Sequence, residues 1–145
     1  MLNNILVVCV GNVCRSPVGE RLLAQSLPEA HVSSAGMGAL ANHPADPTMT
    51  EVAQSHGLSL EGHTARQIQA DMIREADLVL VMEAEHLAHM MTKWPFASGK
   101  VFQFDKWSGG AGVPDPYRKS HEYHETVYNL LEQAASAWIK RLTIR

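Results

Sequence analysis

Cys9 and Arg15 stand six positions apart in the stretch Cys9-Val10-Gly11-Asn12-Val13-Cys14-Arg15-Ser16-Pro17, and these residue types can handle a phosphate-sized anion. A guanidinium is a planar fork that grips two oxygens of one phosphate. Backbone N–H groups of a loop that runs into a helix converge on an anion of that size, and Gly11 permits the turn that brings them round. Cys9 at the base of such a loop is expected to be a thiolate near neutrality, with the Ser16 hydroxyl able to hydrogen-bond its sulfur. A thiolate held beneath a phosphate ester is an in-line nucleophile. The departing oxygen then needs a proton. Asp115, in Val113-Pro114-Asp115-Pro116-Tyr117, is the best donor in the chain, its backbone stiffened by a proline on either side. It would protonate the leaving group and later take a proton from the water that frees the phosphoryl group from sulfur. Tyr117 would form an aromatic wall at the mouth. This chemistry requires neither a metal nor a cofactor.

Each residue also has a plainer reading. Cys9 could be a small hydrophobe closing a strand, Arg15 a surface cation, and Asp115 a turn residue, since Asp-Pro is common in turns. A bare Cys-x5-Arg matches many sequences by chance. The weight lies in the combination with the elements that must position it.

Those elements are legible. Asn4 to Cys9 is a continuous aliphatic run, the pattern of a strand buried on both faces, and Asp77 to Met82 repeats it. His31 to Ala35 and Lys100 to Phe104 are shorter strand candidates. Ser16-Pro17 predicts a helix start, with the hydroxyl at the N-cap, followed by Val18, Leu22, Leu23 and Leu27 on one face. Further helices are expected over Thr48 to His56 and Glu83 to Lys93. A last one carries Tyr123, Val127, Leu130, Leu131, Ala134, Trp138 and Leu142 along one stripe. Alternating strands and helices predict an α/β three-layer sandwich, with a parallel sheet between helices. Ligands in such folds bind at the carboxyl ends of the strands, and the Cys9 loop lies there.

Composition narrows the function. The chain has 145 residues, 46% hydrophobic and 19% charged, which fits a single domain over residues 1–145. Its longest apolar run, Ile5 to Val10, is far short of the ~20 residues that span a bilayer, and no signal peptide is evident. No membrane insertion and a cytoplasmic location are expected. A net charge of −3 gives no broad basic surface for nucleic acid. The only cysteines are Cys9 and Cys14, which excludes a disulfide framework and leaves any structural zinc site in need of ligands from elsewhere.

The Cys-x5-Arg-Ser loop of Cys9 to Ser16, with the distant Asp115-Pro116-Tyr117, resembles the low-molecular-weight protein tyrosine phosphatases. Val32-Ser33-Ser34-Ala35-Gly36, Gly62-His63-Thr64-Ala65-Arg66-Gln67 and Asp115-Pro116-Tyr117-Arg118-Lys119-Ser120 extend the likeness over the chain, which is most similar to the bacterial members of capsule and exopolysaccharide export. The resemblance implies a four-stranded parallel sheet, Cys9 as nucleophile, Arg15 as phosphate clamp and Asp115 as acid and base. It implies a phosphate loop of Val10, Gly11, Asn12, Val13, Cys14, Arg15 and Ser16, held in shape by Asn12, Ser16, Ser34 and His63. It also implies pocket walls at Val13, Leu40 and Tyr117, and a phosphotyrosine protein as substrate. That substrate would be a tyrosine autokinase with a tyrosine-rich tail, which Arg118 and Lys119 could steer. A monomer or weak dimer is expected. Cys14 is either a helix-start residue serving through its N–H, or a redox partner whose reversible disulfide with Cys9 shields the nucleophile, as in some members.

Other readings are weaker. Arsenate reductases of this fold need further cysteines, and arginine phosphatases carry threonine where Val13 stands. A binding module without turnover would need Arg15 and the cradle, but neither Cys9 nor Asp115. A thiol-exchange protein would be expected to show Cys-x-x-Cys. Gly36-x-Gly38-x-x-Ala41 fits a dinucleotide fingerprint, yet Pro44 and Pro47 follow where a helix should open. His86/His89 and His121/His124 are paired at i, i+3. With no third metal ligand evident, they read as solvated helix faces, and His31, His43 and His56 as surface residues. Met90-Met91 reads as core packing.

Overall fold

The computed structural model describes residues 2–143. Strand β1 (Asn4–Cys9) alternates as its pattern requires. Ile5, Val7 and Cys9 face one side, Leu6 and Val8 the other, and all five are buried. Strands β2 (His31–Gly36), β3 (Leu78–Val81) and β4 (Val101–Gln103) join it in a four-stranded, wholly parallel sheet of order β2-β1-β3-β4. Register sets Val7 beside Ser34 and Leu80, and Cys9 beside Gly36.

Helices cover both faces. Against Ile5, Val7 and Cys9 pack α1 (Arg15–Ser26), α2 (Pro47–Ser55) and α5 (His121–Thr143), through Val18, Leu23, Met49, Val127, Leu131 and Trp138. Against Leu6 and Val8 pack α3 (Ala70–Glu75) and α4 (Ala84–Lys93), through Ile73 and Met90. The result is the expected three-layer α/β sandwich. From β1 the chain turns first to β2 on one side and later to β3 on the other, so the strand order reverses at β1. Loops after β1 and β3 flank the crevice that this reversal opens. Among the described residues no helix is long and apolar enough to cross a membrane.

Several local expectations change. Helix α1 begins at Arg15 with Cys14 in the cap position, and no side chain caps it. The Ser16 hydroxyl is inside the helix and bonded to Cys9 and Asn12, so it does not act as the N-cap. At α2 the cap is Asp46, whose carboxylate accepts from Met49 N–H at 3.0 Å, with Pro47 opening the first turn. Helix α3 and the 3-10 turn Pro95–Ala97 are additions that the pattern did not announce. The left-handed residue of the Cys9 loop is Asn12, at φ 59°, and not Gly11. The histidine pairs are split: His89 and His121 are exposed, whereas His86 and His124 are buried. Their positions on the inner stripes of α4 and α5 override the reading as solvated faces. Met90 lies in the core as expected, and His31, His43 and His56 lie at the surface, His56 stacked on Tyr128.

Candidate active site

The sequence between β1 and α1 is short, and its ends are pinned by a buried strand and a buried helix, so it must curl over the end of the sheet. Its N–H groups turn inward onto one sulfur. Cys9 Sγ accepts from Asn12 N–H at 3.3 Å and Ser16 N–H at 3.4 Å, and lies 2.9 Å from Ser16 Oγ. Ser16 Oγ itself accepts from Asn12 Nδ2 at 2.7 Å, which leaves its hydrogen free for the sulfur. Three donors at the start of a helix thus converge on one point, the arrangement that holds an oxyanion.

The strained Asn12 is held from every side. Its Nδ2 also donates to Ser34 Oγ at 3.0 Å, and its Oδ1 accepts from Arg66 N–H at 2.9 Å, which fixes the amide's orientation. Its carbonyl oxygen lies 2.6 Å from His63 Nε2. Ser34 in turn donates to Glu20 Oε1 at 2.7 Å. The structure therefore gathers Asn12, Ser16, Ser34 and His63 around the loop, and adds Glu20 and Arg66.

Arg15 is 2% exposed, and its charge is met by two carboxylates. Nη1 meets Glu83 Oε1 at 3.0 Å and the Val113 carbonyl at 2.8 Å, while Nη2 is 3.8 Å from Asp115 Oδ2. These tethers hold the fork against the loop, where a buried guanidinium without partners would be costly. Glu83 escaped sequence reading, although it is the second residue after β3, where the carboxyl-end rule points.

Asp115 is carried by a separate segment. Val113 is fully buried and donates its N–H to Met82 O at 2.8 Å, and Gly112 N–H bonds the buried Asp105 carboxylate at 2.7 Å. Beyond that anchor Asp115 stands 48% exposed, its Oδ1 accepting from Tyr117 N–H at 3.1 Å. Arg118 lies over the Tyr117 ring, 5.3 Å from its centroid. A pocket of about 150 Å³ results, lined by Cys9, Val13, Arg15, Leu40, Asp115 and Tyr117 among others. All three expected wall residues line it. Cys14 also touches it, but its thiol is buried, and burial with the neighbouring Asp46 charge pushes its pKa up. Both cysteines are free. His86, on the far side of Glu83, is held neutral to lower pH than usual by burial and by the Arg15 charge.

Fold and loop together define a doubly wound α/β protein whose first strand ends in an anion cradle closed over a cysteine. The family model described as low molecular weight phosphotyrosine protein phosphatase matches residues 4–145. The low molecular weight protein-tyrosine-phosphatase Etp of Escherichia coli K12 is 51% identical over 141 residues, covering 97% of this chain and 95% of its own. Wzb of the same strain, described in the same terms, is 52% identical over 142 residues, covering 98% and 97%. The crystal structure of the tyrosine phosphatase Wzb from Escherichia coli K30 in complex with sulphate superposes with a TM-score of 0.95 at 46% identity, covering 98% of this chain and 99% of that one. The chain belongs to the low molecular weight phosphotyrosine protein phosphatase family, and it is a phosphatase enzyme.

Proposed function

We propose that this chain, read as one domain over residues 1–145, hydrolyses phosphotyrosine in proteins through a phosphocysteine at Cys9. The observation that carries this reading is the convergence of Asn12 N–H, Ser16 N–H and Ser16 Oγ on Cys9 Sγ, with Arg15 and Asp115 at the same pocket. Cys9 Sγ attacks phosphorus as the bond to the phenolic oxygen breaks, and Asp115 gives that oxygen a proton. Asp115 then takes a proton from water as the water oxygen attacks phosphorus, the P–S bond breaks and inorganic phosphate leaves. Arg15, Val10 to Ser16 and the helix start hold the equatorial oxygens through both steps. A sulphate complex of a relative fits such a cradle for a tetrahedral dianion.

Pocket depth selects the ester. Leu40, Val13 and Tyr117 offer apolar and aromatic walls to a phenyl ring, and a phosphoserine would leave them untouched. The physiological substrate in this reading is a tyrosine autokinase of exopolysaccharide export, its tyrosine-rich tail drawn in by the exposed Arg118 and Lys119. A reducing cytoplasm keeps both thiols free, and a monomer or weak dimer suffices because one chain supplies every group. The test is hydrolysis of para-nitrophenyl phosphate with a chelator present, wild type beside Cys9→Ser. Turnover that survives the chelator and disappears in the variant is expected. Folded, reduced wild type without turnover would overturn the reading in favour of a phosphate-binding module.

A further inference from the structure

The chemistry above uses neither the Cys14 thiol nor His124, yet the fold brings them together. Cys14 Sγ, an Asp46 carboxylate oxygen and a His124 ring nitrogen all lie within 4.8 Å of one another. They come from three elements: Cys14 caps α1, Asp46 caps α2, and His124 sits in the first turn of α5. Cys14 is 2% exposed and His124 only 1%.

The histidine's orientation is informative. Nδ1 lies 2.8 Å from the Ser120 carbonyl oxygen, which can only accept, so Nδ1 carries the hydrogen. In the neutral ring Nε2 then holds a lone pair. It makes no hydrogen bond among the described residues, although Asp46 Oδ2 stands 3.2 Å away. Asp46 Oδ2 also accepts from Met49 N–H and is only partly buried, yet two lone-pair-bearing atoms facing each other beside a buried ring are unfavourable unless something positive lies between them. His124 also interrupts the buried stripe of α5, one turn before the buried Val127 and Tyr128, where an apolar side chain would leave no polar atom unpaired.

We propose that Cys14, Asp46 and His124 form a binding site for one borderline-soft divalent cation, of which zinc is the best match, with a fourth position left to water. A thiolate, an imidazole and a carboxylate are the donors zinc prefers, and a histidine oriented by a backbone carbonyl through its other nitrogen is the usual second contact of such sites. The charges balance: the Cys14 thiol gives its proton to solvent on binding, and thiolate plus carboxylate neutralise the cation. The site adjoins the catalytic pocket, which Cys14 also lines, but no step of the proposed reaction uses its three donor atoms. Occupancy pins the starts of α1, α2 and α5 to one another and withdraws Cys14 from any pairing with Cys9.

The test removes the competing thiol first. Reduced, metal-free Cys9→Ser protein titrated with cadmium should develop the ultraviolet thiolate-to-cadmium absorption, saturating at one cadmium per chain. Adding His124→Phe or Asp46→Asn should weaken that binding at least about tenfold; asparagine retains a side-chain oxygen to cap α2. Zinc should raise the melting temperature of Cys9→Ser protein but not of Cys9→Ser/His124→Phe. Turnover of para-nitrophenyl phosphate by the single variant His124→Phe shows that it folds, and if it does not, Asp46→Asn decides alone. No cadmium band, or a band whose affinity ignores both second substitutions, would overturn the site and leave an imidazolium–carboxylate pair in its place.

Discussion

Three donors turned on Cys9 Sγ hold the sulfur in place at the base of the pocket before any substrate arrives. The orientation of those donors is inherited stepwise. Arg66 N–H fixes the Asn12 amide, the amide fixes the Ser16 hydroxyl, and the hydroxyl faces the sulfur. Asp115 has a different design, with one oxygen occupied by Tyr117 N–H and the other turned toward Arg15 across 3.8 Å. As the proposed proton donor, it should matter most where the leaving group is most basic. Asp115→Asn is expected to lower kcat about 10²- to 10⁴-fold for phenyl phosphate, and distinctly less for an ester of an acidic phenol. Equal losses across a series of aryl phosphates would show that Asp115 does not donate the proton. The loop residues and Asp115 were legible through their combination: a buried strand before Cys9, Ser-Pro and a helix pattern after Arg15, and the distant Asp115-Pro116-Tyr117. Glu20, Arg66 and Glu83 were not, because an isolated charged residue on a helix or loop reads as surface until the fold sets it beside Ser34, Asn12 or Arg15.

At the scale of elements, strand periodicity did most of the positioning. The apolar run of β1 announced a central strand, and its alternation puts Cys9 on the face shared with α1. Helix α3 stayed hidden because it has six residues, one buried side chain and no side-chain cap. The start of α1 was misplaced by two residues because a serine before proline is a good cap in isolation, whereas here its hydroxyl serves the sulfur. Gly36, set aside as a false nucleotide fingerprint, has a structural purpose. A Cβ there would lie 2.4 Å from Val10 O and 3.0 Å from Asn12 Cβ, so the end of β2 lets the phosphate loop approach. Gly36→Ala should push that loop outward, lowering kcat/KM and costing about 1–3 kcal/mol of stability. Urea denaturation and steady-state kinetics on the same preparation measure both. Unchanged values would mean that the loop is not seated against β2.

At the scale of the whole molecule, a buried histidine of the α4 layer couples stability to acid. His86, on the α4 side, is kept neutral below its ordinary value of 6.5 by burial and by the Arg15 charge. Below about pH 6.5 the unfolded chain therefore takes up a proton that the folded chain refuses, and stability falls as pH drops through that window. His86→Leu should flatten this fall, read as the pH dependence of the urea midpoint. A slope identical to wild type would show that His86 protonates as readily in the folded protein. The parallel sheet and the site at the carboxyl end of β1 followed from the alternation of strands and helices, whereas the strand order did not. The burial of His86 and His124 did not, because spacing alone does not say which side of a helix meets the core.

The claim on which the rest depends is that the phosphoryl group passes through Cys9. Rapid denaturation of the enzyme during turnover of an aryl phosphate, followed by peptide mass mapping, tests it directly. A single phosphoryl group on the Cys9 sulfur, absent from Cys9→Ser, is the predicted result. Turnover that proceeds without it, or that leaves the phosphoryl group on another residue, would contradict the account.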